Sequence, residues 1–306
     1  MKRGMKPQKI AKEMNMATVI DFLFGPFIDF AFMRHALVGS AVLAVGACPV
    51  GVFLMLRRMS LAGDALSHAI LPGVALGFFV SGISLVPMAF GGLVAGLIVA
   101  LLSGLVARAT LQKEDASLAA FYLVSLALGV ALISLRGNSI DLTHILFGTV
   151  LALSSQGLLM IGTVASITLV TLAVLWRALV LECLDPTFLR TVSRAGPAAH
   201  SVFLMLVVLN LVGGFQAMGT LLSVGLMMLP AAAARFWAKR LEAMCLIAMA
   251  IGISSCWIGL LVSYHFNIAS GAAIVLVAGV IYLASLMFSP SGVFGQKPSR
   301  AQHKAA

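Results

Sequence analysis

Asp64 and His68 stand four residues apart in the segment Gly63-Asp64-Ala65-Leu66-Ser67-His68-Ala69-Ile70-Leu71-Pro72-Gly73. On an α-helix, positions i and i+4 share a face, so the carboxylate and the imidazole would point the same way. A hard oxygen beside an imidazole nitrogen suits Mn²⁺, Fe²⁺ or Zn²⁺. Pro72 bears on the same place, because it cannot donate to the carbonyl four residues back, which belongs to His68. A kink there would free a backbone oxygen beside the imidazole. Of the ten acidic residues, Asp64 is the one inside a well-defined apolar run, with Glu242 at the edge of another. An ionised Asp near mid-bilayer costs ~3 kcal/mol on insertion scales, and such residues usually serve a pathway. Counted as continuous helix from Arg58, His68 lies about 15 Å along, close to the midplane, with Asp64 shallower. A second reading fits the same spacing. Asp64 follows Gly63 at the start of the run and could complement a helix N-terminus, leaving His68 as a buried histidine bonded to a neighbouring helix. Spacing alone does not choose between them.

Other candidates carry less. Asp141 and His144 fall in an outer loop, and His265 in the outer turn Tyr264-His265-Phe266-Asn267. They suit gathering a cation or receiving a docking partner, and equally suit ordinary solvated loops. His35 and His200 read as interfacial side chains. The sixteen methionines fall mostly singly on apolar runs, with Met227-Met228 adjacent, as packing residues do. Cys48, Cys183, Cys245 and Cys256 show no CxxC spacing, so neither a disulfide framework nor a zinc finger is expected. An intramembrane enzyme is disfavoured by the lack of an HExxH motif.

These residues sit in a chain that must be mostly embedded in lipid. Of its 306 residues, 61% are hydrophobic and 10% charged, against roughly 25% charged in a soluble domain. Apolar runs long enough for ~30 Å of hydrocarbon occur at about 36–56, 64–80, 85–106, 118–135, 156–176, 198–214, 218–234, 242–263 and 268–288. They lack the alternation of a β-barrel, so the fold class is all-α, a polytopic helical bundle of about nine spans. The net charge of +10 is carried by clusters between the runs, a pattern for membrane orientation and not for binding nucleic acid. Arg57-Arg58, Arg108 and Lys113, Arg177 and Arg190, Arg235 with Lys239 and Arg240, and Lys297 with Arg300 all fall on one side, the cytoplasm. The opposite loops near 80–84, 214–218 and 264–267 carry no Lys or Arg. Nine spans leave the basic N-terminal tail outside, against the same rule. Residues 17–33, with Asp21 and Asp29 in an aromatic run, therefore form either an interfacial amphipathic helix, the reading preferred here, or a further crossing. The chain then divides into a tail and interfacial segment (1–33), a membrane unit (34–290) and a polar cytoplasmic tail (291–306). No cleaved signal is expected. The longest polar stretch, about Arg177–Pro197, is too short for a nucleotide-binding core, and no GK[ST] loop occurs. An ATPase, if used, is another polypeptide.

Four segments in order resemble the permeases of the ABC-3 family, the zinc, manganese and iron importers of bacteria. They are Leu56 through Gly73, Leu146-Phe147-Gly148, Gly219-Thr220-Leu221-Leu222 through Leu229-Pro230-Ala231-Ala232, and Ser270-Gly271-Ala272-Ala273-Ile274-Val275. The resemblance implies a homodimeric permease in the bacterial inner membrane, two cytoplasmic ABC ATPase subunits and an extracytoplasmic metal-binding protein. It implies that Asp64 and His68 match the family's metal-coordinating pair. It also implies that Leu184 through Leu189 and Arg190 form the ATPase-facing loop, with Asp185, Pro186, Phe188 and Arg190 in coupling. Leu184 and Thr187 depart from the usual residues, and Ala269 stands where a Pro is common. Zinc, manganese or iron would be cargo, with no permanently bound cofactor, and ATP would be used by the partner subunit. The rival expectations are a permease for a metal chelate or vitamin, and a secondary transporter with Asp64 carrying a proton.

Overall fold

The computed structural model describes residues 22–82, 84–110, 114–135, 150–184 and 195–290, and these contain helices and no strand. Residues 22–29 form a short helix, α1. The rest of the order is α2 (Ala31–Leu56), α3 (Ala62–Ala69), α4 (Leu71–Ser81), α5 (Leu85–Ala109), α6 (Glu114–Leu135), a 3₁₀ turn (Val150–Ala152), α7 (Ser155–Leu184), α8 (Ala195–Met218), α9 (Thr220–Trp237), α10 (Leu241–Phe266) and α11 (Ser270–Phe288). Among the described residues, nine helical runs are long and apolar enough to cross a bilayer, with α3 and α4 together making the second. The all-α bundle expected from hydropathy is therefore observed.

Three boundaries differ from the expectation, each for a local reason. The second run is not one kinked helix. It is interrupted at Ile70, which ends α3, and Pro72 falls in the first turn of α4, where its missing N–H costs nothing. The connection near 214–218 is not a loop: α8 stays helical to Met218, and Gly219 alone turns the chain, with φ 96° and ψ 160°, a conformation open to glycine. Finally α7 does not end near 176. Its 30 residues measure about 45 Å, longer than the ~30 Å hydrocarbon layer, so its last turns extend past the exposed Arg177, beyond the apolar run.

The end of α2 also has a defined geometry. Arg58 adopts a left-handed φ of 60°. Its N–H bonds the Met55 carbonyl at 3.1 Å, and the Met59 N–H bonds that of Leu54 at 3.0 Å. This is a Schellman closure with arginine where glycine is usual. Met59 is buried, and its carbonyl accepts from the Ala62 N–H at 3.1 Å, so the turn leads directly into α3.

Packing divides the bundle in two. α2, α9, α10 and α11 form one group and α3, α4, α5 and α6 the other, while α8 packs against α5, α7 and α9 and α7 against α2. α4 and α5 approach backbone to backbone, since a Cβ on Gly73 would fall on the Gly91 carbonyl and one on Gly91 on the Gly73 carbonyl. Such small-residue contacts drive helix association where lipid offers no hydrophobic contrast. α2 and α8 are largely enclosed, whereas α5, α6, α7 and α11 turn Leu105, Val124, Val174 and Leu276 outward, as suits helices against acyl chains. α1 lays Phe24 against Trp257 of α10, 5.6 Å between ring centres. Arg34 closes its end by donating to the Ile28 carbonyl at 2.8 Å.

Candidate functional site

Asp64 and His68 lie on one face of α3 as the spacing predicts. His68 Nε2 and Asp64 Oδ1 are 3.8 Å apart, and the side chains are 33% and 66% exposed respectively. Two donors about 2.1 Å from a single zinc-sized ion would be about 3.0–3.5 Å apart, so a small side-chain adjustment lets both reach one cation. The other imidazole nitrogen, Nδ1, is buried and makes no hydrogen bond among the described residues, and the Tyr122 ring of α6 lies 6.3 Å from the imidazole. Asp64 makes no side-chain cap, but it stands in the first turn of α3, where a carboxylate also complements the helix N-terminus.

The break after α3 is held by α6. The Ser125 hydroxyl donates to the Ala69 carbonyl at 2.8 Å, and Gly129 packs on the backbone at Pro72. The Ile70 N–H turns to the His68 carbonyl, so that oxygen is not simply freed beside the imidazole. A neighbour gives the level of this segment in the bundle. The helical path to His68 begins at Ala62 and is about 9 Å, shorter than a continuous helix from Arg58 would give. Yet a Cβ on Gly63 would meet the Met227 side chain, and Met227 lies midway along α9 (Thr220–Trp237). The start of α3 thus lies level with the middle of α9. Among the described residues, no three His, Cys, Asp or Glu side chains gather in a metal-binding group. One chain therefore presents two such donors here.

A second polar cluster was not anticipated. Arg57 Nη2 donates to Glu182 Oε2 at 2.7 Å, with the side chains 7% and 13% exposed. Arg57 Nη1 lies 3.1 Å from His200 Nδ1, the guanidinium stacks 4.3 Å from the centre of the Phe203 ring, and His200 Nδ1 is 3.4 Å from Glu182 Oε1. A guanidinium can only donate, so in the Arg57 contact His200 Nδ1 stands as acceptor, while towards Glu182 Oε1 the same nitrogen would have to donate. Arg57 and His200, expected in the solvated interface, are instead drawn together with their side chains largely withdrawn from solvent. The hidden signal was Glu182: it lies beyond the apolar run of α7, and only the helix's extra length brings it beside them.

The remaining candidates separate. His265 stacks on Phe22 with ring centres 4.0 Å apart and an interplanar angle of 8°, and its Nε2 is 3.4 Å from the Phe22 carbonyl oxygen. It joins the outer end of α10 to α1. Asp141 and His144 lie outside the described residues, as do Asp185, Pro186, Phe188 and Arg190. The segment holding the last four runs between the end of α7 and the start of α8, the helices that carry Glu182 and His200. Ala269, where a proline is common, has φ −51°, within proline's own range, so the departure leaves that backbone unchanged.

Comparison with known proteins gives a consistent result. The pattern of the ABC 3 transport family matches residues 29–289. The chain is 36% identical over 262 residues to the manganese import system permease protein ScaB of Streptococcus gordonii, covering 86% of this chain and 93% of that one. It is 30% identical over 271 residues to a Haemophilus influenzae protein named "Probable iron transport system membrane protein", covering 89% and 98%. Among solved structures, a chain of PsaBC from Streptococcus pneumoniae in complex with Fab superposes with a TM-score of 0.79 at 32% identity, covering 90% of this chain and 98% of that one.

Proposed function

The chain belongs to the ABC 3 transport family, and on that premise we propose that it is the permease subunit of an importer for a divalent transition metal ion. Manganese is the first candidate, in line with the ScaB relative, with iron(II) and zinc as the alternatives. Two copies would enclose the path in the bacterial cytoplasmic membrane, an extracytoplasmic binding protein would deliver the ion, and separate ATPase subunits would drive the cycle through residues 185–190.

The observation that carries this reading is the exposed Asp64–His68 pair on one face of α3, within the second apolar run. A carboxylate facing acyl chains there would cost ~3 kcal/mol. The face must therefore border an aqueous cavity or a second copy. Two copies about a two-fold axis would set two such pairs opposite each other, supplying up to four oxygen and nitrogen donors to one ion. The chain makes and breaks no covalent bond. Its side chains exchange for water around the cation and release it as the copies move. Two donors per chain suit this task, because a transport site must let go.

Uptake of labelled manganese, iron(II) or zinc by vesicles bearing the complete complex tests the reading, with Asp64→Ala and His68→Ala beside the parent. The expected result is uptake of one metal, stopped by vanadate and lost in both variants while assembly with the ATPase persists. Normal uptake by Asp64→Ala would overturn it, and uptake insensitive to vanadate would point to a proton-driven carrier.

A further inference from the structure

The largely enclosed cluster of Arg57, Glu182 and His200 belongs to the ends of α2, α7 and α8 and not to the α3 face of Asp64 and His68, and its place in the fold gives it a separate role. We propose that these three side chains form a positioning link that carries movement at the cytoplasmic ends of α7 and α8 to the Asp64–His68 pair. The inference rests on the permease reading above and adds to it the residues that connect the driving end to the site.

Four observations support the link. First, it joins three chain ends. Arg57 closes α2, Glu182 lies in the last turn of α7 and His200 in the second turn of α8. The two arms of the guanidinium go to different helices, Nη2 to α7 and Nη1 to α8, so a single side chain registers both against α2. Second, the same three helices supply an aromatic layer beside it. Phe53 of α2 meets Trp176 of α7 at 5.5 Å and Phe203 of α8 at 6.1 Å between ring centres, in edge-to-face contacts. Phe203 also lies under the guanidinium. Ionic and aromatic layers together make the ends one block.

Third, the step from this block to the site is short and stiff. Arg57 and Asp64 are seven residues apart, and between them the chain is closed by hydrogen bonds Arg58 N–H to Met55, Met59 N–H to Leu54, Ala62 N–H to Met59 and Ala65 N–H to Leu61, each 3.0–3.1 Å. The left-handed arginine at 58 shows that this turn is held in a conformation its sequence does not favour. Fourth, the chemistry is fork-specific. A buried ion pair contributes little net stability compared with apolar packing, and its best-attested use is to fix register. A planar guanidinium with two separate partners does this in a way that a lysine cannot.

The test is metal transported per ATP hydrolysed by the complete complex in vesicles, for Glu182→Gln, Arg57→Lys and His200→Gln. Glu182→Gln keeps the shape and removes the charge; Arg57→Lys keeps the charge and removes one of the two contacts. The link predicts that metal per ATP falls about tenfold in Glu182→Gln and Arg57→Lys, with less effect in His200→Gln, while complex yield and ATP hydrolysis hold. An unchanged ratio in the first two overturns the proposal. So does a joint loss of assembly, hydrolysis and uptake in all three, which would make the cluster a folding element and nothing more. The premise is read separately: normal uptake in Asp64→Ala, with the cluster intact, would sink the permease reading, whereas loss of uptake there with unchanged ratios in the cluster variants would sink only the link.

Discussion

The two polar clusters of this molecule are chemically alike and physically opposite. Each sets a carboxylate beside an imidazole, but Asp64 is 66% exposed and the His68 imidazole is 3.8 Å away, whereas Glu182 is 13% exposed and in hydrogen-bond contact with Arg57 at 2.7 Å. A cluster whose carboxylate is already engaged by a guanidinium offers no free anion to a cargo. One whose carboxylate stands largely exposed can accept a ligand and give it up. In a chain with so few charges, exposure separates the group that exchanges partners from the group that keeps them.

The sharpest way to break this contrast is to delete each carboxylate and read both transport and stability. Asp64→Ala should reduce metal uptake by at least about a hundredfold while shifting the thermal unfolding of purified protein by no more than a surface change does, about 0.5 kcal/mol. Glu182→Ala should do the reverse in stability, losing about 3–5 kcal/mol because it leaves a guanidinium buried without its anion. A large unfolding shift in Asp64→Ala would mean the first cluster is also structural. A smaller effect is expected from Ser125→Ala, which removes the hydroxyl on the Ala69 carbonyl: about 1 kcal/mol in unfolding, with metal affinity weakened because the end of α3 loses its support. The smallest is a gain. Ala269→Pro should stabilise by about 0.4–1 kcal/mol, since the native φ already suits proline, and should leave uptake unchanged. Destabilisation there would show that the turn before α11 needs the Ala269 N–H.

The difference between the clusters also explains what could be read from sequence. Asp64 and His68 are four residues apart on one helix, so local periodicity was enough to place them on a common face, and hydropathy was enough to find the nine runs. Arg57 and Glu182 are separated by 125 residues and Arg57 and His200 by 143. Charges at the ends of apolar runs are ordinarily solvated, and nothing local marks three of them as meeting. The length of α7 was missed for the same reason: hydropathy stops where the lipid stops, while the helix goes on. Ile70 and Gly219 show a finer limit. Pro72 announced an interruption but not its position, because proline is tolerated in a first turn and the break falls upstream. Gly219 was one glycine among several near the end of α8, and only its backbone angles distinguish it from Gly214, which stays within the helix beside Ser223.

The one-residue corner at Gly219 has a mechanical consequence. With a single residue between them, α8 and α9 have no slack at their outer ends, so that end acts as a pivot and the rest of α8 as a lever arm. His200 lies eighteen residues from Met218, about 27 Å of helix. A tilt of about 5° at the corner would therefore sweep His200 through about 2 Å, enough to change which atoms a guanidinium can reach, while the outer end scarcely moves.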